Sequence, residues 1–183
     1  LYSRLKRGPQ IIPRKDVGII LAETGIGKDS KVLDSGSGSG ALCCALANIA
    51  KEVISYEIRE DFYDIVKNNK KFLNLKNLKL KNKDIYNGIT EKNLDVIILD
   101  LPEPWKVIPH ASKALKPGGF LVSYSPCIPQ VMDFVSSLEK DDSFTYLKTM
   151  ELIQRDWDVY ARKVRPKTNM IGHSGFISFA RRL

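Results

Sequence analysis

Apolar residues along the chain cluster in short, nearly continuous runs: "KVLDS" (31–35), "EVISYE" (52–57), "LKLKNKD" (78–84), "LDVIILD" (94–100) and "GFLVSYS" (119–125). Runs of this length without helical periodicity predict strands, and those with little alternation predict strands covered on both faces. Between them the pattern turns helical, over 41–50, 60–73, 105–115 and 129–138, and the third helix is closed by "KPGG". A further helix in "KDVGIILAETGIG" precedes the first strand and stops at Gly25 and Gly27. Strand and helix in alternation imply an α/β fold with a doubly wound, mostly parallel sheet. The tail differs, because "FTYLKTMELIQ" (144–154) and "GFISFARRL" (175–183) alternate like a hairpin pair around a basic loop. They predict two antiparallel strands extending the sheet edge. No repeat, low-complexity tract or linker interrupts the 183 residues, a length that suits one domain.

Chemistry in such sheets gathers at the carboxyl ends of the strands, so the residues ending each run matter most. In "VLDSGSGSGALCCALA" the strand ends on Asp34, and Gly36, Gly38 and Gly40 alternate with Ser37 and Ser39 before the next helix. Glycines let the backbone turn tightly and approach a ligand. The third glycine comes one residue too early for a dinucleotide fingerprint, and the acid before the first would repel phosphate. A P-loop is excluded because Gly27 and Lys28 are followed by Asp29 rather than Ser or Thr. Glu57 ends the second strand, where a carboxylate can accept both ribose hydroxyls, and Asp84 ends the third, placed for an exocyclic amine. Each acid alone is an ordinary turn residue. In succession they imply a ligand with a cationic end, a ribose and an adenine but no phosphate, namely S-adenosylmethionine.

After the fourth run stands "LDLPEPW" (99–105), where Pro102 and Pro104 cannot lie inside a central strand and so stiffen a loop that starts at Asp100. An acid on a rigid loop at the site edge is a candidate catalytic group. Trp105 belongs either to an apolar wall of the site or to the first turn of the next helix.

Lysine and arginine number 29 against 21 acids, a net charge of +8 that favours a polyanionic partner. No apolar run approaches a membrane span, and the basic opening stretch "LYSRLKRGPQ" lacks a signal-like apolar core, so the expected location is cytoplasmic. The three cysteines, two of them adjacent, offer neither a disulfide framework nor metal-ligand spacing, and no metal is expected.

With these residues in view, the sequence resembles the class I methyltransferases, and more closely the TrmI family of tRNA (adenine-N1) methyltransferases. The likeness runs through "RGPQIIPRKDVGIILAETGIG", "YEIREDF", "DLPEPW", "ALKPGGFLVSYSP" and "MIGHSGFISFARR". It implies a seven-stranded Rossmann-like sheet with an antiparallel C-terminal strand, S-adenosylmethionine as cofactor, and methyl transfer to N1 of a T-loop adenine of tRNA. The target is position 58 and, in some archaeal members, also 57. For the cofactor it implies Gln10, Ile11, Asp34, Gly36, Ser37, Gly38, Ser39, Gly40, Glu57, Ile58, Asp84, Ile85 and Asp100, with Asp100 also catalytic. For the substrate it implies Pro102, Tyr124, His173, Arg14 and Arg165, with Tyr124 either stacked on the flipped base or part of the core. Arg7, Arg14, Lys15, Arg162, Lys163, Arg165 and Lys167 are candidate contacts to tRNA phosphates, whereas the lysines of "KNNKKFLNLKNLKLKNK" read as a solvated helix face.

A homotetramer is also implied. Residues 1–183 are then the catalytic domain, without the small N-terminal β domain of the family. Two departures stand out: Ile12 runs into Pro13 where the family usually has a tyrosine, and Asp34 stands where Glu is more common. The alternatives are another small class I methyltransferase, acting on a corrinoid precursor or a protein, and a non-catalytic tRNA-binding subunit. The latter is expected to lose the glycines and acids that this sequence retains.

Overall fold

The computed structural model describes Leu5 and residues 11–183. Helix α1 (Arg14–Thr24) leads into β1 (Lys31–Ser35), α2 (Ala41–Leu46), β2 (Glu52–Glu57), α3 (Glu60–Phe72), β3 (Leu78–Asn82) and β4 (Leu94–Leu99). Then follow α4 (Ile108–Ala114), β5 (Leu115–Ser125), α5 (Ile128–Leu138), β6 (Phe144–Met150), β7 (Trp157–Tyr160), β8 (Lys163–Pro166) and β9 (Phe176–Arg182). Short 3-10 turns occupy Ile85–Asn87 and Pro104–Val107.

Seven strands form one sheet in the order β3-β2-β1-β4-β5-β9-β6, while β7 and β8 pair apart from it. The expected α/β architecture is present: β1 to β5 pair in parallel, and β9 runs antiparallel to both β5 and β6. Because successive side chains of a strand point to opposite faces, Val32 and Leu33 of β1 enter different core clusters, and so do Ile97 and Ile98 of β4. Both faces are thus covered, which explains the unbroken apolar runs. The chain winds outward from β1 in one direction through β2 and β3, then in the other through β4 and β5. That reversal leaves a crevice at the carboxyl ends of β1 and β4, the usual ligand position in such sheets.

Three local differences from the sequence pattern have backbone causes. The helix expected from 105 starts as a 3-10 turn at Pro104 and becomes α-helical at Ile108, since prolines at the start of each segment lack the N–H that a continuous helix would use. The "KPGG" segment lies within β5, with an irregular register against β4 between Leu94 and Val96 and Gly118 at φ +78°. The basic loop contains the β7–β8 hairpin, whose apolar residues are too few and too exposed to signal strands. Among the described residues no helix is long and apolar enough to cross a membrane.

Candidate active site

Asp34 is the fourth residue of β1 and is buried; its register partner on β2 is Ser55, whose Oγ donates to Asp34 Oδ2 at 2.6 Å. Beyond it the chain turns through Gly36 (φ +85°), Gly38 (φ +51°) and Gly40 (φ +81°), all in the left-handed region that disfavours side chains. Two of these glycines are also held by contact. A Cβ on Gly36 would lie 2.0 Å from the Asp100 carbonyl oxygen, and one on Gly40 would lie 2.8 Å from Val66 of α3. Gly38 faces open space, as a backbone cradle for a ligand requires.

Neighbouring groups lock the turn. Ser37 Oγ bonds to the Tyr56 carbonyl at 3.0 Å, Asn69 Nδ2 of α3 donates to the Ser39 carbonyl at 2.9 Å, and the Gly38 N–H donates to Glu57 Oε2 at 2.9 Å. Ser39 Oγ is buried without a hydrogen-bond partner among the described residues.

Asp100 follows β4, and its N–H donates to the Ser35 carbonyl at 2.9 Å, so the two strand ends are tied side by side. Together Ile11, Ile12, Asp34, Gly36, Gly38 and Asp100 line one small cavity. Asp100 opens onto this cavity, and the surrounding protein pushes its carboxyl up to about 6 by dehydration. Burial pushes Asp34 further, to about 7; the Ser55 hydrogen bond opposes the shift, and the charges of Asp100 and Glu57 add to it. A cationic ligand would relieve both acids.

Glu57 ends β2 with each carboxylate oxygen already accepting one backbone N–H, from Gly38 and from Arg59 (2.9 Å), which fixes its orientation beside the glycine turn. Ile58 beside it is exposed, an apolar surface available to an aromatic ring. Asp84 lies past the end of β3 and caps the 3-10 turn through the Tyr86 N–H at 2.9 Å; it lines a separate hollow with Lys83 and Asn87, and Ile85 is buried behind it. The structure therefore gathers Asp34, the glycine turn and Asp100 into one cavity, with Glu57 bonded to Gly38 of that turn and Asp84 in a separate hollow.

The substrate candidates separate. Pro102 is exposed, and its carbonyl accepts from Gln130 Nε2 at 2.9 Å, which pins the proline loop to α5; Trp105 packs against the core. Tyr124 is buried, with its hydroxyl on Asp16 Oδ2 at 3.1 Å and its ring against Gly175, so it sits within the core rather than open to a base. Burial raises its pKa, and the hydroxyl remains a donor. Lys15 also turns inward. Its Nζ donates to Asp16 Oδ1, the Leu152 carbonyl and Ser174 Oγ at 2.6, 2.7 and 2.6 Å, which uses all three protons and removes it from the phosphate contacts.

His173 has a partner that sequence spacing did not reveal. Nδ1 meets Glu151 Oε1 at 2.5 Å and Nε2 meets the Pro126 carbonyl at 2.9 Å, so both nitrogens face acceptors, and both contacts raise the pKa of the ring. Arg14 and Arg165 are exposed, the latter on β8 opposite Asp158. Gln10 and Arg7 lie outside the described residues.

The donor set suits S-adenosylmethionine: an acidic cavity for its positive end, an unobstructed glycine backbone, a carboxylate for a diol and an apolar rim for a ring. The chain is also similar to proteins of known activity. The sequence model of the family described as the GCD14 subunit of the tRNA methyltransferase complex matches residues 3–165. Among curated proteins, the tRNA (adenine(57)-N(1)/adenine(58)-N(1))-methyltransferase TrmI of Methanocaldococcus jannaschii is 36% identical over 211 residues, covering 99% of this chain and 74% of that protein. The structure of the tRNA (m1A58) methyltransferase TrmI of Aquifex aeolicus superposes with a TM-score of 0.91 at 31% identity, over 98% of this chain and 73% of that one. A Thermotoga maritima structure described as a SAM-dependent O-methyltransferase gives 0.93 at 30% identity, over 100% and 69%.

Proposed function

The chain belongs to the GCD14 family of tRNA methyltransferase subunits, and from that premise we propose that it methylates N1 of a T-loop adenine of tRNA with S-adenosylmethionine as donor. The target is position 58, with 57 as a second site. The observation that carries this reading is the convergence of Asp34, the glycine turn and Asp100 on one cavity at the crevice of the sheet. It also favours an active enzyme over a non-catalytic subunit, because every one of these groups would be dispensable in the latter. Residues 1–183 act as the catalytic domain.

When bound, S-adenosylmethionine supplies an electrophilic methyl group on a sulfonium. Asp34 would hold its cationic end, the glycine turn would let the ligand approach the backbone closely, and Glu57 would accept from the ribose. N1 of adenine is unprotonated at neutral pH, so the protein supplies no base to create the nucleophile. Its task is to align N1 and stabilise the positive charge that develops on the ring. Asp100 performs both: with its pKa near 6 it is ionised at pH 7, and it accepts from the exocyclic amine that shares the new charge. The proline loop, tied to α5 through Gln130, fixes where that carboxylate points. The base reaches the cavity by leaving its stack.

Calorimetric titration with S-adenosylmethionine, followed by nucleoside mass analysis of unmodified tRNA after incubation, tests the reading. Binding with N1-methyladenosine formed is the expected result, and binding without product on tRNA overturns it.

Assembly as a homotetramer is part of the same proposal. On the β7–β8 hairpin the cross-strand pairs Trp157 with Pro166 and Val159 with Val164 share one face; Trp157, Val159 and Val164 are 55%, 71% and 56% exposed. A second copy of the chain would cover this apolar face. Light scattering should report a tetramer that Trp157→Glu with Val159→Glu breaks into smaller species.

A further inference from the structure

Seven lysines and no acid lie between Asp64 and Asp84: Lys67, Lys70, Lys71, Lys76, Lys79, Lys81 and Lys83. On sequence alone they read as a solvated face, but the structure sorts them. Lys79 pairs with Glu52 and Lys81 with Glu91. Lys67, Lys70, Lys71 and Lys76 pair with no acid among the described residues and instead surround one shallow hollow together with Asn74 and Leu75. Phe72 is 64% exposed beside them.

The hollow has a definite place relative to the site. Helix α3 starts just after Glu57, at the cofactor edge of the sheet, and its 13 residues carry the chain about 20 Å to the opposite edge. Its inner face is anchored on the glycine turn by Val66 and Asn69. Lys67, Lys70 and Lys71 follow these anchors on the same helix and Lys76 lies in the loop beyond it, so the hollow keeps a fixed place relative to the cavity. Four unpaired cations within about one Debye length of each other form a positive field that their own protein does not neutralise. The other basic region differs: on the β7–β8 hairpin Lys167 pairs with Asp156, and Asp158 sits opposite Arg165.

We propose that Lys67, Lys70, Lys71 and Lys76 form a second, sequence-independent phosphate-binding site for the tRNA backbone, outside the cavity that takes the target base. Such a site fixes the register of a long RNA on the enzyme without reading bases. It rests on the tRNA reading above and adds a requirement to it: RNA too short to reach from the cavity to the hollow gains nothing from these lysines.

The test compares wild type with the Lys67→Gln, Lys70→Gln, Lys71→Gln, Lys76→Gln variant on two RNAs, full-length tRNA and a hairpin carrying only the T loop on a short stem. Kd and its salt dependence are read by fluorescence anisotropy, and kcat by methyl transfer. The variant should bind full-length tRNA about tenfold more weakly at about 0.15 M salt, and its slope of log K against log salt should be shallower by about 2 to 3. The hairpin Kd and kcat on either RNA should not change. Restoring charge with arginine at all four positions should recover tRNA affinity. Equal weakening on both RNAs, or unchanged tRNA affinity, overturns the proposal while leaving the methyltransferase reading intact. Wild type that methylates neither RNA overturns that reading first, and this site with it.

Discussion

Two loops bring acids to the same cavity by opposite backbone means. After β1, glycines at positive φ let the chain fold back so closely that Gly36 touches the Asp100 carbonyl. After β4, Pro102 and Pro104 remove that freedom and hold a stiff path away from the sheet. The acids differ accordingly. Asp34 lies inside the strand, bonded to Ser55 and pushed up to about 7, whereas Asp100 stands at the open end near 6. The buried acid is suited to hold charge that is always present in the ligand, and the open one to meet charge that appears during reaction.

Gly36→Ala should cause the largest loss, since the added methyl meets the Asp100 carbonyl and the positive φ is strained as well. A destabilisation of about 3 kcal/mol or more, seen as a fall in Tm and loss of cofactor binding, is expected. Gly38→Ala, with open space around it, should cost only about 1 kcal/mol in stability and act mainly on ligand binding. Asp100→Asn sharpens the difference in roles: turnover should fall by about 10²-fold or more while cofactor Kd stays within a few fold. Equal losses in both would make the two acids alike.

Asp34→Asn should weaken cofactor binding by about tenfold and leave a smaller effect on the step itself. The pH dependence separates the acids further. Asp34 must be ionised to hold the cofactor's cation, so wild-type cofactor Kd should fall as pH rises from about 5 to 7, by up to about tenfold per pH unit, whereas kcat should rise through about 6 with Asp100. Without ligand the sign reverses: the raised pKa of Asp34 contributes stability below pH 3.8 that is lost as pH climbs through about 7. Asparagine at 34 should remove that slope in pH-dependent melts. Pro104→Ala is the mildest change, expected to cost well under about 1 kcal/mol in stability and a few fold in kcat through a looser loop.

The parallel half of the sheet was legible because strands buried on both faces leave unbroken apolar runs, and because glycines and prolines mark their ends. The candidate site was legible at the same strand ends. What escaped reading depended on distance in sequence. Nothing in "GHSG" points to Glu151, 22 residues away, and a lysine such as Lys15 looks like a surface charge until the fold encloses it with Asp16, Leu152 and Ser174. Tyr124 alternates correctly for either face of its strand, and only packing against Gly175 and Asp16 decides which. The four lysines around the hollow share a helix turn and the loop after it, so their convergence depends on how that loop bends at Asn74, at φ +53°.

The position of β9 between β5 and β6 has a consequence for synthesis on the ribosome. Residues 144–150 are made before residues 176–182, yet β6 has no partner in the sheet until β9 arrives. For that interval the growing chain presents β5, with Leu121 and Val122, as an unpaired apolar edge of the kind that recruits other chains. Completion of the sheet is therefore a late event in the life of each molecule, and substitutions in β9 should lower soluble yield before they lower activity.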